Sequence, residues 1–436
     1  MESDRPLAMP TRLSLRGFDH VWFGRGDERE VYTDGRQAKV RVDDAWMSEQ
    51  HARLMVVGGQ WLIEDLGSRN GVAVDGETVD RVALADGAVI ELGRTLFLYR
   101  EQRPDDEAPD VVFTPNADDV SSPALLTASP ELTRTFRHLA RIADSDVAVM
   151  LGGESGTGKE VMAQAIHAMS GRRGRLVPVN CGGLTETLVQ SELFGYRKGA
   201  FSGADQDRPG MVRAADEGTL FLDEIGDLLA SSQAVLLRVL QEKEVQPLGQ
   251  TDSISVDVRV ISATHRRLAD MVERDDFRAD LYARLGGYEL TLPPLRKRRE
   301  DLGLLVGQLL RRLSPDPTLR FQPEAARQLF SFDWPLNIRQ LEKALARAIV
   351  LARGEPIDLE HLPDDLTQGP DSRRVPLPAP SASLRGEDRE RRGELQQLLV
   401  RHAGNVSAIA REMGKDRKQI RRWLDRYGLD AAAHRD

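Results

Sequence analysis

The stretch Gly153-Glu154-Ser155-Gly156-Thr157-Gly158-Lys159 follows an apolar run at residues 147–151 and opens a helix-patterned segment at residues 160–169. Strand, glycine-rich turn and helix start, in that order, form a cradle for phosphate groups, because backbone amides and the positive end of the helix face the anion. The glycines let the backbone approach a ligand without a Cβ in the way, and Lys159 adds a point charge toward the β- and γ-phosphates. A plain glycine-rich turn would use the same letters, and Glu160 stands where most such loops place a magnesium-binding Ser or Thr. Leu220-Phe221-Leu222-Asp223-Glu224 decides between the two, since an apolar strand ending in two carboxylates supplies what hydrolysis needs. Asp223 can hold Mg2+ through water and Glu224 can orient a hydrolytic water.

The elements that must position these groups follow from patterning. Four apolar strand candidates, at residues 147–151, 176–179, 219–222 and 256–261, alternate with helical stretches. That alternation specifies a parallel sheet covered by helices. After Leu292-Pro293-Pro294 the pattern turns helical, with Leu302, Leu305, Val306, Leu309 and Leu310 on one stripe and a second helix around residues 338–352. An α/β domain is expected over residues 123–366, its helical subdomain starting near 297.

Upstream, the runs VWF, VYT, KVRV, WLIED, AVIEL and LFLYR are split by Asp34-Gly35, Gly58-Gly59, Asp75-Gly76 and Asp86-Gly87, the signature of an all-β sandwich, placed at residues 15–103. Residues 104–122, rich in acids and prolines, and residues 367–386, rich in proline, serine and arginine, read as linkers. Such a multidomain plan suits 436 residues, more than one core usually organises.

Composition excludes several classes. At 40 % hydrophobic and 30 % charged residues, with no apolar run near the roughly 20 residues that cross a bilayer, a membrane span is ruled out. The first 14 residues carry charges and two prolines where a secretory signal needs apolar residues, so a cytoplasmic location is expected. The single cysteine, Cys181, excludes an intramolecular disulfide and a cysteine-rich zinc site, and reads as a small buried residue.

A formal net charge of -9 argues against coating of nucleic acid by the whole molecule. Locally the balance reverses. Residues 411–426 hold seven basic residues (Arg411, Lys415, Arg417, Lys418, Arg421, Arg422 and Arg426) against three acids (Glu412, Asp416 and Asp425). Asn405 can cap a helix through Ala410 and Met413, Gly414 makes the turn, and Asp416 can cap a second helix to about Tyr427. The all-α region at residues 387–436 therefore reads as a helix-turn-helix suited to phosphate contact, against the blander alternative of a solvated basic helix.

The motifs GESGTGKE, SELFGYRKGAFSGA, GTLFLDEIGDL, FRADLYARL and WPLNIRQLEKA, over residues 123–366, resemble the AAA+ domain of bacterial sigma-54-dependent transcription activators. In that family Glu160 is the usual residue. The resemblance implies an ATPase using ATP and Mg2+, with Gly153, Glu154, Ser155, Gly156, Thr157, Gly158, Lys159, Glu160, Thr264 and Arg339 at the nucleotide and Asp223 and Glu224 in catalysis. It implies that Asn180 holds Glu224 out of line by hydrogen bonding, that Arg278 and Arg284 reach the γ-phosphate of a neighbouring subunit, and that Arg339 is the second nucleotide sensor. The protein would then work as a homo-oligomer, from dimer to hexameric ring. Gly199-Ala200-Phe201-Ser202-Gly203-Ala204 resembles the GAFTGA loop that contacts sigma-54, with Ser202 in place of threonine; a flexible glycine turn would leave an exposed Phe201 without purpose. His265 replaces the asparagine usual in the first sensor, and Leu336 replaces a glycine.

The C-terminal stretch resembles the Fis-type DNA-binding domain of these activators, which implies Arg417, Lys418, Arg421 and Arg422 in the groove of enhancer DNA. Gly24-Arg25, Ser48, His51 and Leu66-Gly67-Ser68-Arg69-Asn70-Gly71 resemble the forkhead-associated (FHA) domain. By that resemblance Arg25 and Ser48 bind the phosphate of a phosphothreonine, Arg69 assists, Asn70 holds the ligand's backbone, and His51 props the loop. A guanidinium fork with a hydroxyl suits a phosphate dianion. Glu49, where the family often has a basic residue, would repel it. A sandwich kept for packing or dimerisation is the bland alternative.

The reading is a sigma-54-dependent transcription activator gated by a phosphothreonine protein or its Ser/Thr kinase, in a two-component-like role, acting on the sigma-54 RNA polymerase holoenzyme. Thr114 and Thr127 are candidate phosphothreonines within the chain itself. Two rivals stand beside it: a nucleotide-binding DNA regulator that does not remodel polymerase, and a AAA+ chaperone.

Overall fold

A computed structural model describes residues 1–101, 112–115, 122–182, 186–201 and 204–367 and, near the C-terminus, 395, 398–399, 401–402 and 406–414. The chain forms two compact units, Met1–Gly369 and Pro370–Asp436. In the second, the helix Val406–Glu412 is followed by a turn with Gly414 at φ 60°. Leu395, Leu398, Leu399, Ile409 and Ala410 are buried together there. Asn405, the helix expected from Asp416 and the four residues Arg417, Lys418, Arg421 and Arg422 lie outside the described residues.

The first unit opens with a β-sandwich. Its six-stranded sheet runs Glu30–Asp34, Gln37–Val42, His20–Arg25, Ala52–Val57, Gln60–Asp65 and Arg81–Ala83; the four-stranded sheet runs Thr95–Leu98, Val89–Leu92, Val72–Val74 and Glu77–Val79. All neighbours are antiparallel except His20–Arg25 with Gln37–Val42. Val21, Ile63, Leu92 and Val72 fill the space between the sheets. The expected turns are present: Gly35, Gly58, Gly59, Gly76 and Gly87 all have positive φ, as does Asp75. Strand Ala52–Val57 breaks the alternation that reveals strands, because neighbouring Leu54 and Met55 are both buried. Within the stretch read as a linker, Val112–Phe113 forms a short strand against Arg12–Leu13, so residues on both flanks of the sandwich stay with it.

The parallel sheet has five strands, ordered Leu176–Asn180, Thr219–Asp223, Arg259–Thr264, Val149–Gly152 and Tyr288–Thr291. The last was not anticipated, being four residues between Gly286-Gly287 and Pro293-Pro294 with no periodicity to show. One face of the sheet packs on helices Ala230–Glu242 and Ala279–Leu285, the other on Pro130–Ala143 and Lys159–Met169. Cys181 is buried as expected, and burial pushes its thiol up to about 12, which leaves it inert. The helical subdomain adds Leu302–Leu313, Pro323–Ser331 and Asn337–Ala352 around Trp334, whose Nε1 donates to Leu329 O at 2.9 Å. No helix among the described residues is long and apolar enough to cross a membrane.

The sandwich rests on this helical subdomain. Val89 and Leu96 join its apolar cluster with Met1 and Leu7 packed alongside, and Phe321 N donates to Ser3 O at 2.8 Å. The Arg327 guanidinium grips the Glu91 carboxylate with both arms, Arg100 pairs with Glu300 at 2.7 Å, and Arg299 Nη1 donates to Gly87 O at 3.2 Å. Nothing in the sequence pattern announces these pairs, which join residues 200 or more positions apart.

Candidate functional site

The glycine-rich loop leaves strand Val149–Gly152 and ends at helix Lys159–Met169, as its context requires. Gly156, at φ 77°, must be glycine on two counts: the left-handed backbone, and a Cβ there would sit 2.3 Å from Leu336 O. Thr157 is buried, its hydroxyl on Glu154 O at 2.9 Å. Lys159 is also buried and folds back to donate to Gly153 O and Glu154 O, at 2.8 and 3.2 Å. Burial depresses its pKa, opposed by the charges of Glu224 and Asp223. Glu160 is exposed at the start of the helix.

The helical subdomain closes on this loop. Ile338 N donates to Gly156 O at 2.9 Å, Asn337 Nδ2 to Ser155 O at 3.0 Å, Arg298 to Thr157 O at 2.7 Å, and Arg339 to Ser155 Oγ at 3.3 Å. Arg296 holds the Glu154 carboxylate through two bonds, of 2.8 and 2.5 Å, and that pair together with Asn337 brings the Glu154 carboxyl down to about 2. The Glu154 side chain is thus engaged by the subdomain, and its backbone carbonyl by Lys159 and Thr157. Arg296, Arg298 and Asn337 were not picked out from sequence; the basic run Arg296-Lys297-Arg298-Arg299 was the available signal. Leu336 takes the place of a glycine at no backbone cost, with φ −102° and its side chain in solvent.

Asp223 and Glu224 stand at the end of strand Thr219–Asp223, beside the loop. Burial raises the Asp223 pKa and the Glu224 charge raises it further, while the Glu224 amide, 3.0 Å from Asp223 Oδ1, acts against both. Glu224 itself adopts a left-handed backbone, φ 52°, an unusual state for a residue with a Cβ and one that collects at functional sites. Thr264 is buried, its carbonyl taking the Gly153 amide at 3.2 Å. Asn180 sits in register with Asp223 on the neighbouring strand, but its Oδ1 accepts from Gly182 N at 2.8 Å. The hydrogen bond expected from Asn180 to Glu224 is not among those of the described residues; His265 Nδ1 lies 2.6 Å from Glu224 Oε2 instead.

Arg278 is the N-cap residue of helix Ala279–Leu285 and Arg284 lies in its last turn, both exposed. Arg278 is held by Asp280 at 3.0 and 2.7 Å, and Arg284 donates to Leu240 O at 3.3 and 3.1 Å, so neither bonds to the loop of its own chain. In the segment Gly199 to Ala204, Gly199 N donates to Ala204 O at 2.9 Å and Ala204 N to Phe201 O at 3.0 Å. Ser202 and Gly203 lie outside the described residues. Phe201 is not fully exposed as expected: it is half-buried, edge-on to Tyr196 with ring centres 4.9 Å apart. An aromatic neighbour lowers the cost of presenting the ring.

The sandwich assembles a second polar cluster. Gly24 lets strand His20–Arg25 meet the loop that carries Glu49, since a Cβ there would lie 1.9 Å from Glu49 O. Arg25 N donates to Ser48 O at 2.9 Å, and Arg69 N to Ser48 Oγ at 3.1 Å. Asn70 Nδ2 donates to Trp46 O at 2.7 Å. His51 is fully buried between Ser48 N at 3.0 Å and Gly71 O at 2.9 Å, so Nδ1 accepts and Nε2 donates. Arg25, Arg69 and Asn70 stay exposed around Ser48. Arg41, passed over in the sequence, ties Arg25 O to Glu49 O at 2.8 Å each and adds a third guanidinium. Of the two candidate threonines, Thr114 is exposed, whereas Thr127 is buried and donates to the Asp301 carboxylate at 2.8 Å. Thr127 is therefore shielded from a kinase in this fold.

Comparison with known proteins bears on the fold and the family. Residues 125–291 match the Sigma-54 interaction domain, 296–377 the AAA+ ATPase lid domain and 21–93 the FHA domain. The chain is 43 % identical over 317 residues to the transcriptional regulatory protein ZraR of Salmonella typhimurium, covering 69 % of this chain and 68 % of that one. It is 40 % identical over 321 residues to GlrR of Escherichia coli, covering 73 % and 71 %. Among solved structures, NtrX from Brucella abortus in complex with ADP is similar with a TM-score of 0.52 at 30 % identity over 70 % of each chain.

Proposed function

We propose, from the premise that this chain belongs to the sigma-54-dependent transcriptional regulators with an FHA domain and an AAA+ ATPase domain, that it hydrolyses ATP in an oligomer and uses hydrolysis to remodel the sigma-54 RNA polymerase closed complex. The observation that carries this is the meeting of a phosphate loop and a carboxylate pair within a domain that also presents Phe201 beside Tyr196. In this reading Lys159 swings from Gly153 O and Glu154 O to the phosphates, and Glu224 takes the proton of the attacking water. Asp223 would hold a hydrated magnesium ion, whose charge offsets that of the phosphates. The donor set fits: Asp223 is a partly buried carboxylate beside Glu224 and Lys159, and magnesium prefers few carboxylates with water and phosphate oxygens. Residues 387–436 would bind enhancer DNA, and the whole would work in the cytoplasm.

The deciding experiment is open-complex formation on a sigma-54 promoter with purified polymerase, the full-length chain and ATP. Phe201→Ala should keep ATP turnover within about twofold of the parent protein and lower open-complex yield by at least about tenfold, because the ring serves the partner and not the phosphates. Unchanged yield from Phe201→Ala would favour a nucleotide-binding DNA regulator that leaves polymerase alone.

The sandwich is proposed to read phosphothreonine through Arg25, Ser48, Arg69 and Asn70, a reading supported by the bonds that Arg25 N and Arg69 N make to Ser48 and Asn70 makes to Trp46 O. Several charge-assisted hydrogen bonds, each worth on the order of 1.5–3 kcal/mol, should separate phosphorylated from unmodified peptide by at least tenfold in titrations of the full-length chain. Arg25→Ala should erase that ratio, and Glu49→Arg should widen it. Equal affinities for both peptides would reduce the sandwich to a packing module.

A further inference from the structure

We infer that His265 is a positioning residue that latches Glu224, taking over in this chain the part first assigned to Asn180. The inference rests on the ATPase reading and deepens it. Three observations point the same way. First, His265 Nδ1 lies 2.6 Å from Glu224 Oε2, and the His265 amide adds a longer contact to the same oxygen at 3.4 Å. A carboxylate only accepts, so Nδ1 carries the proton. Second, the Asn180 amide oxygen, though on the adjacent strand, is spent on Gly182 N at 2.8 Å. Third, Glu224 enters this contact from a left-handed backbone, φ 52°, while its neighbour Asp223 takes the Glu224 amide.

An oxygen occupied by a donor is a weaker base and points where the donor holds it, here toward the end of strand Arg259–Thr264. Hydrolysis then requires the latch to open, and the fraction of time it is open sets basal turnover. The pair is partly exposed, with His265 at 47 % and Glu224 at 23 %, so the latch is a shallow one that a partner's contact can release.

The test compares steady-state ATP turnover and ATP affinity for the full-length parent, His265→Ala, His265→Asn and Asn180→Ala. Removal of the imidazole in His265→Ala should raise basal kcat roughly three- to tenfold, with ATP affinity unchanged. His265→Asn, which keeps a donor near the Nδ1 position, should restore the parent rate, and Asn180→Ala should raise kcat by less than His265→Ala does. A kcat that stays level or falls in His265→Ala, a rise confined to Asn180→Ala, or failure of His265→Asn to restore the parent rate overturns the latch. Absence of turnover in the parent protein that nonetheless binds ATP would instead overturn the ATPase reading itself.

Discussion

Alanine at Arg278 or Arg284 is expected to lower ATP turnover by about 10³ to 10⁵, the contribution of an arginine at the γ-phosphate in other nucleotide hydrolases. The expectation comes from where these side chains are not. Both are exposed on or beside helix Ala279–Leu285, engaged with Asp280 and Leu240 O, and bonded to no group of their own phosphate loop. Under the proposed function their work is done in trans, on a neighbouring subunit's nucleotide. Nucleotide affinity and folding should survive, since exposed substitutions usually shift stability by less than about 0.5 kcal/mol. Mixing supplies the decisive readout. An Arg278→Ala subunit keeps its own Glu224 and lacks only the neighbour's arginine, which a Glu224→Gln subunit can lend. If the mixture turns over no faster than either protein alone while both assemble, the shared site is wrong.

Glu224→Gln and Lys159→Ala should fail in different ways. Glutamine keeps the shape at position 224 and removes the base, so turnover should drop by about 10² to 10⁴ with ATP still bound. Lys159 is a buried ammonium that satisfies two loop carbonyls and stands near two carboxylates. Its removal strips the loop of its charge, and equilibrium binding of ATP should be lost along with turnover. Retained ATP affinity in Lys159→Ala would mean that the amides alone cradle the phosphates.

The sequence disclosed most where chemistry and periodicity coincide. Gly156, Lys159, Asp223 and Glu224 were legible because few other functions need glycines, an ammonium and paired carboxylates at those spacings. The helix Asn337–Ala352 and three of the five sheet strands fell close to their expected limits, as long apolar runs do. The edge strand Tyr288–Thr291 and helix Pro323–Ser331 did not, the first for want of length and the second because its alanines and glutamines make a faint stripe. Residues that act by closing space were invisible altogether. Arg296 on Glu154, Arg298 on Thr157 and Arg41 between two carbonyls are arginines among many, and only the fold gives them partners. Asn180 illustrates a related point: a motif names a residue type, whereas its partner is set by the local fold, and here its amide oxygen accepts from Gly182 N.

The seating of the sandwich on the helical subdomain bears on how the protein can be dissected. Excising residues 1–101 would uncover the faces of helices Leu302–Leu313 and Pro323–Ser331 that meet Met1, Leu7, Val89 and Leu96, and would strand Arg327 and Glu300 without their counter-ions. Such a fragment presents a fresh apolar face to water, and sticky surfaces of that kind associate without regard to nucleotide. Concentration-dependent particles formed by a truncated ATPase would then be a product of the cut, and only those made by the intact chain speak for a ring.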